Sequence, residues 1–188
     1  HTVPPAFSFG KLLMTDTATQ EVHVESIRSD PLEITSAEPT IAGTAEFFDV
    51  EYEPLAPEDL QIDGAKSGYR VRLTVKPGLR QGAIQQTISL ATNLESMPTI
   101  DVPVQGIIDS DFAIIGGRGW DSALRKVNLG RVQRDTGASR KLTIFVRGPQ
   151  RDDIELQTPV VTPEQVKVTL GDPVVKGEAN SVQYPLTI

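Results

Sequence analysis

The segment GYRVRLTVK, residues 68–76, decides the fold class because its apolar residues recur at every second position. One side of the extended chain carries Tyr69, Val71, Leu73 and Val75, and the other side carries polar or charged residues. Such alternation is typical of a strand in an antiparallel sheet with one buried and one solvated face. We therefore predict a β-strand here, with an apolar core on one side only.

Two later segments, AIQQTISLAT at residues 83–92 and TIDVPVQG at residues 99–106, show the same alternation. Gln86 interrupts the apolar set of the first segment. Pro103 falls on the outward set of the second, and because proline donates no ladder hydrogen bond, we predict an edge strand or a bulge there. The predicted inward residues are Ile84, Ile88, Leu90, Ile100, Val102 and Val104.

Turn residues separate these strands, beginning with Pro77-Gly78. The best helix candidate is WDSALRKV at residues 120–127, with Asp121 or Ser122 as its cap, and it is short for a stable helix. Many short strands without a long helical period predict an all-β antiparallel sandwich.

Composition excludes several classes of protein. The 188 residues carry a formal charge of −7, which argues against a phosphate-tracking, nucleic-acid-binding surface. No apolar run is long enough to predict membrane insertion of this fragment. The absence of cysteine excludes disulfides and thiolate chemistry. The start HTVPPAFSFG has neither an initiating Met nor a signal peptide, so we expect a piece of a longer protein.

An internal repeat predicts two tandem domains. Four segments of the first half recur in the same order in the second half: FSFGKL (7–12) as VNLGRV (127–132), QEVHVES (20–26) as RKLTIFV (140–146), LAPEDLQI (55–62) as VTPEQVKV (161–168), and YRVRLTV (69–75) as VQYPLTI (182–188). We therefore expect one sandwich at residues 1–108, a linker and domain entry at 109–126, and a second sandwich at 127–188.

The stretch KPGLRQGAIQQTISLATN, residues 76–93, has no counterpart in the second half. The second copy ends where the first has Val75, so we expect it to lack its last two strands. Unpaired sheet edges invite pairing with another chain. We expect this domain to be completed by another chain, by strand exchange, or by residues beyond Ile188.

Residues that carry chemistry are few. The only histidines are His1 and His23, and His23 lies on the polar side of its predicted strand, where we expect it to be solvated. GGRG at residues 116–119 lacks the lysine and the long helix of a phosphate-binding loop, so we expect a flexible interdomain turn. We predict no catalytic residue and no cofactor.

Two weak site hypotheses concern the domain junction. Asp109 and Asp111 could begin a calcium site if Asp121 or Glu58 folded nearby, against the simpler expectation of a solvated linker. Trp120, the only tryptophan, is either an exposed platform for a sugar ligand or, more simply, the anchor of a small interface.

FSFG at residues 7–10, DPLEITSAEPT at 30–40 and the long segment 75–108 resemble the bacterial domain of unknown function 1573 group. The resemblance covers residues 1–108 well and 109–188 in part. It implies an immunoglobulin-like sandwich, similar to the major-sperm-protein-like sandwiches, in a periplasmic or extracellular protein. Many members carry cysteines in the segment equivalent to TSAEPT; this chain has none, so no redox or metal role is carried over.

These observations predict a non-enzymatic structural or protein-interaction module of an exported bacterial protein, whose partner is a protein or a component of the cell envelope. The alternative is a carbohydrate- or ligand-binding accessory domain, which predicts an exposed Trp120 among polar side chains. A hydrolase would need two carboxylates converging in a cleft.

Overall fold

The computed structural model describes residues 1–157, 159–175 and 181–188. The chain is almost entirely β-structure, as predicted, and the only helices among these residues are two 3₁₀ helices at Ala42–Phe47 and Pro57–Asp59. It divides into two compact units, His1–Asp109 (unit 1) and Ser110–Ile188 (unit 2).

Unit 1 is a sandwich of two sheets. One sheet has the order β1-β3-β6-β5, and the other has the order β2-β9-β8-β4 with β7 paired to β9. The strands are β1 (Thr2–Val3), β2 (Phe7–Leu13), β3 (Ala18–Ser26), β4 (Ile34–Pro39), β5 (Phe48–Pro54), β6 (Ser67–Val75), β7 (Gly82–Ala83), β8 (Gln86–Thr92) and β9 (Thr99–Asp109).

The core of unit 1 lies between these two sheets. A cluster of 16 buried hydrophobic residues joins them, and it contains the alternating residues predicted from β6, including Val71 and Leu73, which are fully buried. The alternating residues of β8 and β9 face them, with Ile88, Leu90 and Val102 also fully buried. The period-two pattern therefore predicted the buried face of all three strands.

Strand β9 differs from the prediction of an edge strand at Pro103, and its pairing with β2 shifts register between Ser8 and Lys11. It is not an edge strand, because β8 pairs with it antiparallel on one side and β2 pairs with it parallel on the other. Pro103 is tolerated because pairing with β2 begins only at Val104, the next residue. The missing N–H of Pro103 thus lies beside the start of β2 and costs no ladder bond.

Gln86, the polar exception on the inward face of β8, is buried and fully used. Its Oε1 accepts from the backbone N of Ile41 at 3.0 Å, and its Nε2 donates to the carbonyl of Ile41 at 3.1 Å and to Thr44 Oγ1 at 3.2 Å. The side chain therefore holds the first 3₁₀ helix against β8, which offsets the cost of burying an amide.

The prediction that His23 is solvated was wrong: only 13% of its side chain is exposed. Residues 55–66 cross over this face of β3, and they also bury Glu25, whose carboxylate accepts from the backbone N of Gln61 and of Ile62 at 2.9 and 2.8 Å. Alternation shows which side of a strand faces the core, but it does not show whether a loop covers the other side.

Unit 2 contains one main sheet with the order β10-β13-β16-β14, in which β15 also pairs with β16, and a separate two-stranded hairpin, β11-β12. The strands are β10 (Phe112–Gly116), β11 (Trp120–Asp121), β12 (Lys126–Val127), β13 (Lys141–Arg147), β14 (Thr169–Leu170), β15 (Val174–Val175) and β16 (Ser181–Thr187).

Residues 109–126 are not a plain linker, because they contain β10 and the start of the hairpin. The predicted helix at 120–127 was wrong: Trp120 pairs with Val127 and Asp121 with Lys126, and Asp121 Oδ1 accepts from the backbone N of Leu124 at 3.0 Å to stabilise a tight turn. The GGRG segment is likewise a turn inside unit 2, between β10 and β11, and not an interdomain turn.

Candidate partner-binding sheet of unit 2

The main sheet of unit 2 has the strand order of one sheet of unit 1. In β1-β3-β6-β5, the two longest strands are central and antiparallel, and β10-β13-β16-β14 has the same arrangement. The aligned segments 20–26 and 140–146 fall on β3 and β13, and 69–75 and 182–188 fall on β6 and β16. The two central strands of each sheet therefore come from segments that resemble each other in sequence.

The register of the central pair differs between the units. Val22 pairs with Val71 in unit 1, whereas their aligned counterparts Leu142 and Tyr184 are offset, and Ile144 pairs with Tyr184 instead. A shift of two residues keeps every side chain on its original face. The apolar face of the sheet is therefore preserved.

One face of this sheet, here called the open face, is apolar from edge to edge. Pairing places Ile114, Ile144 and Tyr184 side by side across three strands. The other apolar residues on this face are Phe112, Leu142, Val146, Leu170, Val175, Val182 and Leu186. In unit 1 the equivalent face is covered by a five-stranded sheet, whereas among the described residues of unit 2 the only other sheet is the two-stranded β11-β12, whose Trp120 lies over Gly116 and Leu142 at one end of the open face.

Residues 148–157 and 159–168 cover the centre of the open face, and Trp120 covers one end of it. Ile154 and Leu156 pack against Val146, Val182 and Tyr184, and the Tyr184 hydroxyl donates to the carbonyl of Ile154 at 2.6 Å. Towards the edges the cover is incomplete: Phe112 is 46% exposed, Ile114 38% and Val175 63%.

An apolar cleft of about 450 Å³ lies beside this cover. Its floor comes from Ile144, Leu170 and Leu186 of the sheet, and its walls come from Leu156 and Val161. A cleft lined by aliphatic side chains suits the apolar side chain of a partner.

Strand β10 is one edge of the sheet, and its outward backbone groups are partly capped. The backbone N of Arg147 donates to the carbonyl of Asp111 at 2.8 Å. Because every second residue of an antiparallel strand bonds to the same neighbour, the backbone groups of Phe112 and Ile114 point away from β13. The Trp120 indole donates to the carbonyl of Ile114 at 3.1 Å, and Ser110 Oγ accepts from the backbone N of Phe112 at 3.1 Å. Such caps limit unspecific pairing at an edge.

Trp120 therefore has a role within the chain. It is partly buried and lies over Gly116, where a Cβ would collide with Trp120 and Leu142. Its ring nitrogen is engaged by the carbonyl of Ile114. These contacts fit the anchor of a small interface, and the use of Trp120 as a ligand platform stays a prediction.

The calcium hypothesis gains no further ligand from the structure. Asp109 belongs to unit 1, where it forms a 2.7 Å ion pair with Lys11, and Asp111 belongs to unit 2, where it is buried. Across the described residues, no three His, Asp or Glu side chains lie together as metal ligands. The use of Glu58 or Asp121 as a further ligand stays a prediction.

Comparison with protein-family models finds no matching family, and comparison with curated proteins finds no significant match. The resemblance to the 1573 group thus stays a prediction from the quoted residues. In the described part of the chain, no helix has the length and apolar character needed to cross a membrane.

Sequence reasoning missed the edge strand of the open face. The apolar run FAIIG at residues 112–116 is the signal that should have indicated a strand, but the repeat placed it in the linker. Val175 was missed because β15 has only two residues, too few to show a period.

Proposed function

We propose that the chain is a non-enzymatic protein-interaction module of an exported bacterial protein, and that the open face of unit 2 binds β-strands of a partner protein. The observation that carries the proposal is the sheet order β10-β13-β16-β14, which matches the covered sheet of unit 1 but has only a two-stranded hairpin and a loop over it among the described residues. The exported location rests on the family resemblance.

Unit 1 indicates what such a partner must look like. There, the matching sheet is covered chiefly by β8 and β9, an antiparallel pair with alternating apolar residues such as Ile88, Leu90 and Val102. The partner segment is therefore a strand pair of this chemistry. Each Val-, Leu- or Ile-sized side chain that it buries contributes about 1.5–3 kcal/mol, because apolar area leaves water.

The distribution of polar groups supports binding rather than catalysis. His23 Nδ1 lies 3.8 Å from the carboxylate of Glu25, the most buried carboxylate among the described residues, and that carboxylate already accepts two backbone N–H bonds of a loop. A carboxylate used in this way holds structure together and is not presented to a substrate.

A peptide that copies residues 86–109 tests the proposal on the whole 188-residue chain. This probe contains β8 and β9 and carries a fluorescent label, and its binding is followed by anisotropy. We expect saturable binding that protects residues 112–116 from hydrogen exchange. Absence of binding would contradict the packing of partner strands against the open face.

Adjacent isoleucines of β10 give a matched pair of variants. Ile114 lies on the open face and Ile115 on the opposite face, and both are exposed. We expect Ile114→Lys to weaken peptide binding at least tenfold and Ile115→Lys to change it little, with circular dichroism confirming that both variants fold. Equal weakening by both would place binding elsewhere, and concentration-dependent dimers in sedimentation would show that a second copy, not a partner protein, is the occupant.

A further inference from the structure

Charge is distributed very unequally along this acidic chain. Unit 1 holds seven Lys and Arg against sixteen Asp and Glu, a net charge of −9, and unit 2 holds eleven against nine, a net charge of +2. Residues 118–141 hold seven of the cations and only two acids. The basic segment is therefore a local feature and does not reflect overall composition.

The fold gathers four of these cations around one cavity of about 780 Å³ in unit 2. Arg118 comes from the GGRG turn, Arg131 from the segment after the hairpin, and Arg140 and Lys141 from the start of β13. Among the residues that the structure describes, no acidic residue lines the cavity. Sequence reasoning missed it because the four residues are separated by up to 23 positions and are joined only by the hairpin.

Arg140 forms a fixed wall of this cavity. Its Nη1 donates to the carbonyl of Ser139 at 2.8 Å and its Nη2 to the carbonyl of Leu129 at 3.1 Å. Its Nε is buried and has no hydrogen-bond partner among the described residues. Arg140 as a whole is partly buried, but a buried N–H without a partner is costly, and an anion in the cavity would compensate for it.

Gly119 lies on the rim of the cavity at a position where both the backbone conformation and the close contacts require glycine. Gly119 has φ of +94°, and a Cβ there would lie 2.5 Å from the carbonyl oxygen of Asn128 and 3.4 Å from Arg140 Nε. The backbone N of Asn128 donates to the carbonyl of Gly119 at 2.7 Å, which holds the two sides of the hairpin together. Glycine at 119 thus allows the close approach of the hairpin to Arg140.

The other cations of the cavity are available to a ligand. Arg118, Arg131 and Lys141 are exposed, and none of the three has a carboxylate within salt-bridge distance among the described residues. Four of the seven cations of unit 1 behave differently, since Lys11, Arg70, Arg72 and Lys76 pair with carboxylates. The guanidinium fork matches the oxygens of phosphate and sulfate groups, which it binds through two parallel hydrogen bonds.

We propose that this cavity binds a phosphate or sulfate ester group of a small ligand, held by Arg118, Arg131 and Lys141 against the wall formed by Arg140. Binding of this ligand is independent of partner binding at the open face, because no residue of the cavity belongs to that face. The GGRG turn takes part as a glycine-rich rim, although it lacks the sequence of a phosphate-binding loop.

Nuclear magnetic resonance titration of the whole chain at constant ionic strength tests this proposal. The probes are glucose 6-phosphate, glucose 6-sulfate and glucose, so that the first two distinguish the phosphate source from the sulfate source and the third controls for the sugar. We expect saturable shifts of the Arg140 Nε–H signal and of the Gly119 and Gly130 amides with at least one ester and none with glucose. Shifts that grow linearly with both esters would overturn the proposal.

Charge-neutralising variants separate a built site from diffuse attraction. Arg131→Gln and Arg118→Gln are expected to weaken binding about tenfold or more each, because a hydrogen bond between charged groups is lost. Arg134→Gln removes the same charge from an exposed residue of the same segment that does not line the cavity, and it is expected to change affinity less than twofold. Equal weakening by all three variants would show general electrostatic attraction and no site.

Discussion

Both units contain a sheet of the same strand order, yet they differ in what covers it. The buried hydrophobic cluster of unit 1 has 16 residues drawn from two facing sheets, whereas that of unit 2 has three, Val146, Val182 and Tyr184, beneath a loop. Alternating side chains are enough to form a sheet with an apolar face, but a large core requires a second apolar layer. Stability in this chain should therefore be concentrated in unit 1.

Substitution of leucines at aligned positions gives the largest expected difference in stability loss between the two units. Leu73 on β6 is fully buried, and its counterpart Leu186 on β16 is only partly buried. We expect Leu73→Ala to destabilise unit 1 by about 2–5 kcal/mol, since it leaves a cavity in a packed core. Leu186→Ala should destabilise unit 2 by about 1 kcal/mol, since the side chain already contacts water.

Urea unfolding followed by hydrogen exchange and mass spectrometry measures both leucine variants. Exchange in residues 67–75 reports on unit 1 and exchange in residues 181–187 on unit 2, and fluorescence of Trp120, the only tryptophan, gives a second signal for unit 2. Equal losses for the two variants would show that Leu186 is as well covered as Leu73, and the contrast between the units would fail.

Substitution of Gln86 and Tyr184, whose side chains hold a neighbouring segment against each sheet, gives the next largest difference in stability loss. Gln86 makes three hydrogen bonds to Ile41 and Thr44, and Tyr184 makes one, to the carbonyl of Ile154. We expect Gln86→Leu to cost about 1–3 kcal/mol, because backbone groups of the 3₁₀ helix lose their buried partners, and Tyr184→Phe to cost about 1 kcal/mol. Faster exchange in residues 41–47 for the first variant and in 150–156 for the second checks both. A larger loss for Tyr184→Phe would reverse the comparison.

Sequence predicted unit 1 better than unit 2 for a physical reason. Strands β6, β8 and β9 are seven to eleven residues long and lie between a core and solvent, so their side chains alternate clearly. Strands β11, β12, β14 and β15 have two residues each, which is too short for any period. Their position depends on contacts such as Trp120 over Gly116, which join residues that no local pattern connects.

The two candidate sites also differ in how far the sequence predicts them. The expectation of missing strands and unpaired sheet edges in the second half came from the repeat, which depends on β13 and β16 and is visible in sequence. The basic cavity depends on the β11-β12 hairpin, which joins the GGRG turn of Arg118 to the segment of Arg131, and residues 120–127 of that hairpin were expected to form a helix. Long strands are thus predictable from their own residues, whereas sites built by short hairpins are not.

Substitution of exposed arginines has the smallest expected effect on the Tm of either unit. Arg72 on β6 pairs with Glu21 at 2.8 Å and with Glu51 at 3.6 Å, and the hydrogen bond and charge of Glu21 raise the pKa of Arg72 above its ordinary value. Because exposed pairs are largely solvated, we expect Arg72→Gln to lower the Tm of unit 1 by no more than about 2 °C. Arg131→Gln, which removes an exposed cation without a carboxylate partner among the described residues, should leave the Tm of unit 2 unchanged or raise it slightly.

Calorimetry at low salt and at about 1 M NaCl, where the screening length falls to about 3 Å, separates the two arginines. The small effect of Arg72→Gln should vanish at high salt, because it comes from attraction between exposed charges. Any gain from Arg131→Gln should vanish as well, because it comes from relief of repulsion among the cations of the cavity. A salt-independent loss for Arg131→Gln would mean that Arg131 packs as part of the structure of unit 2, and it would then be a poor candidate for holding an anion.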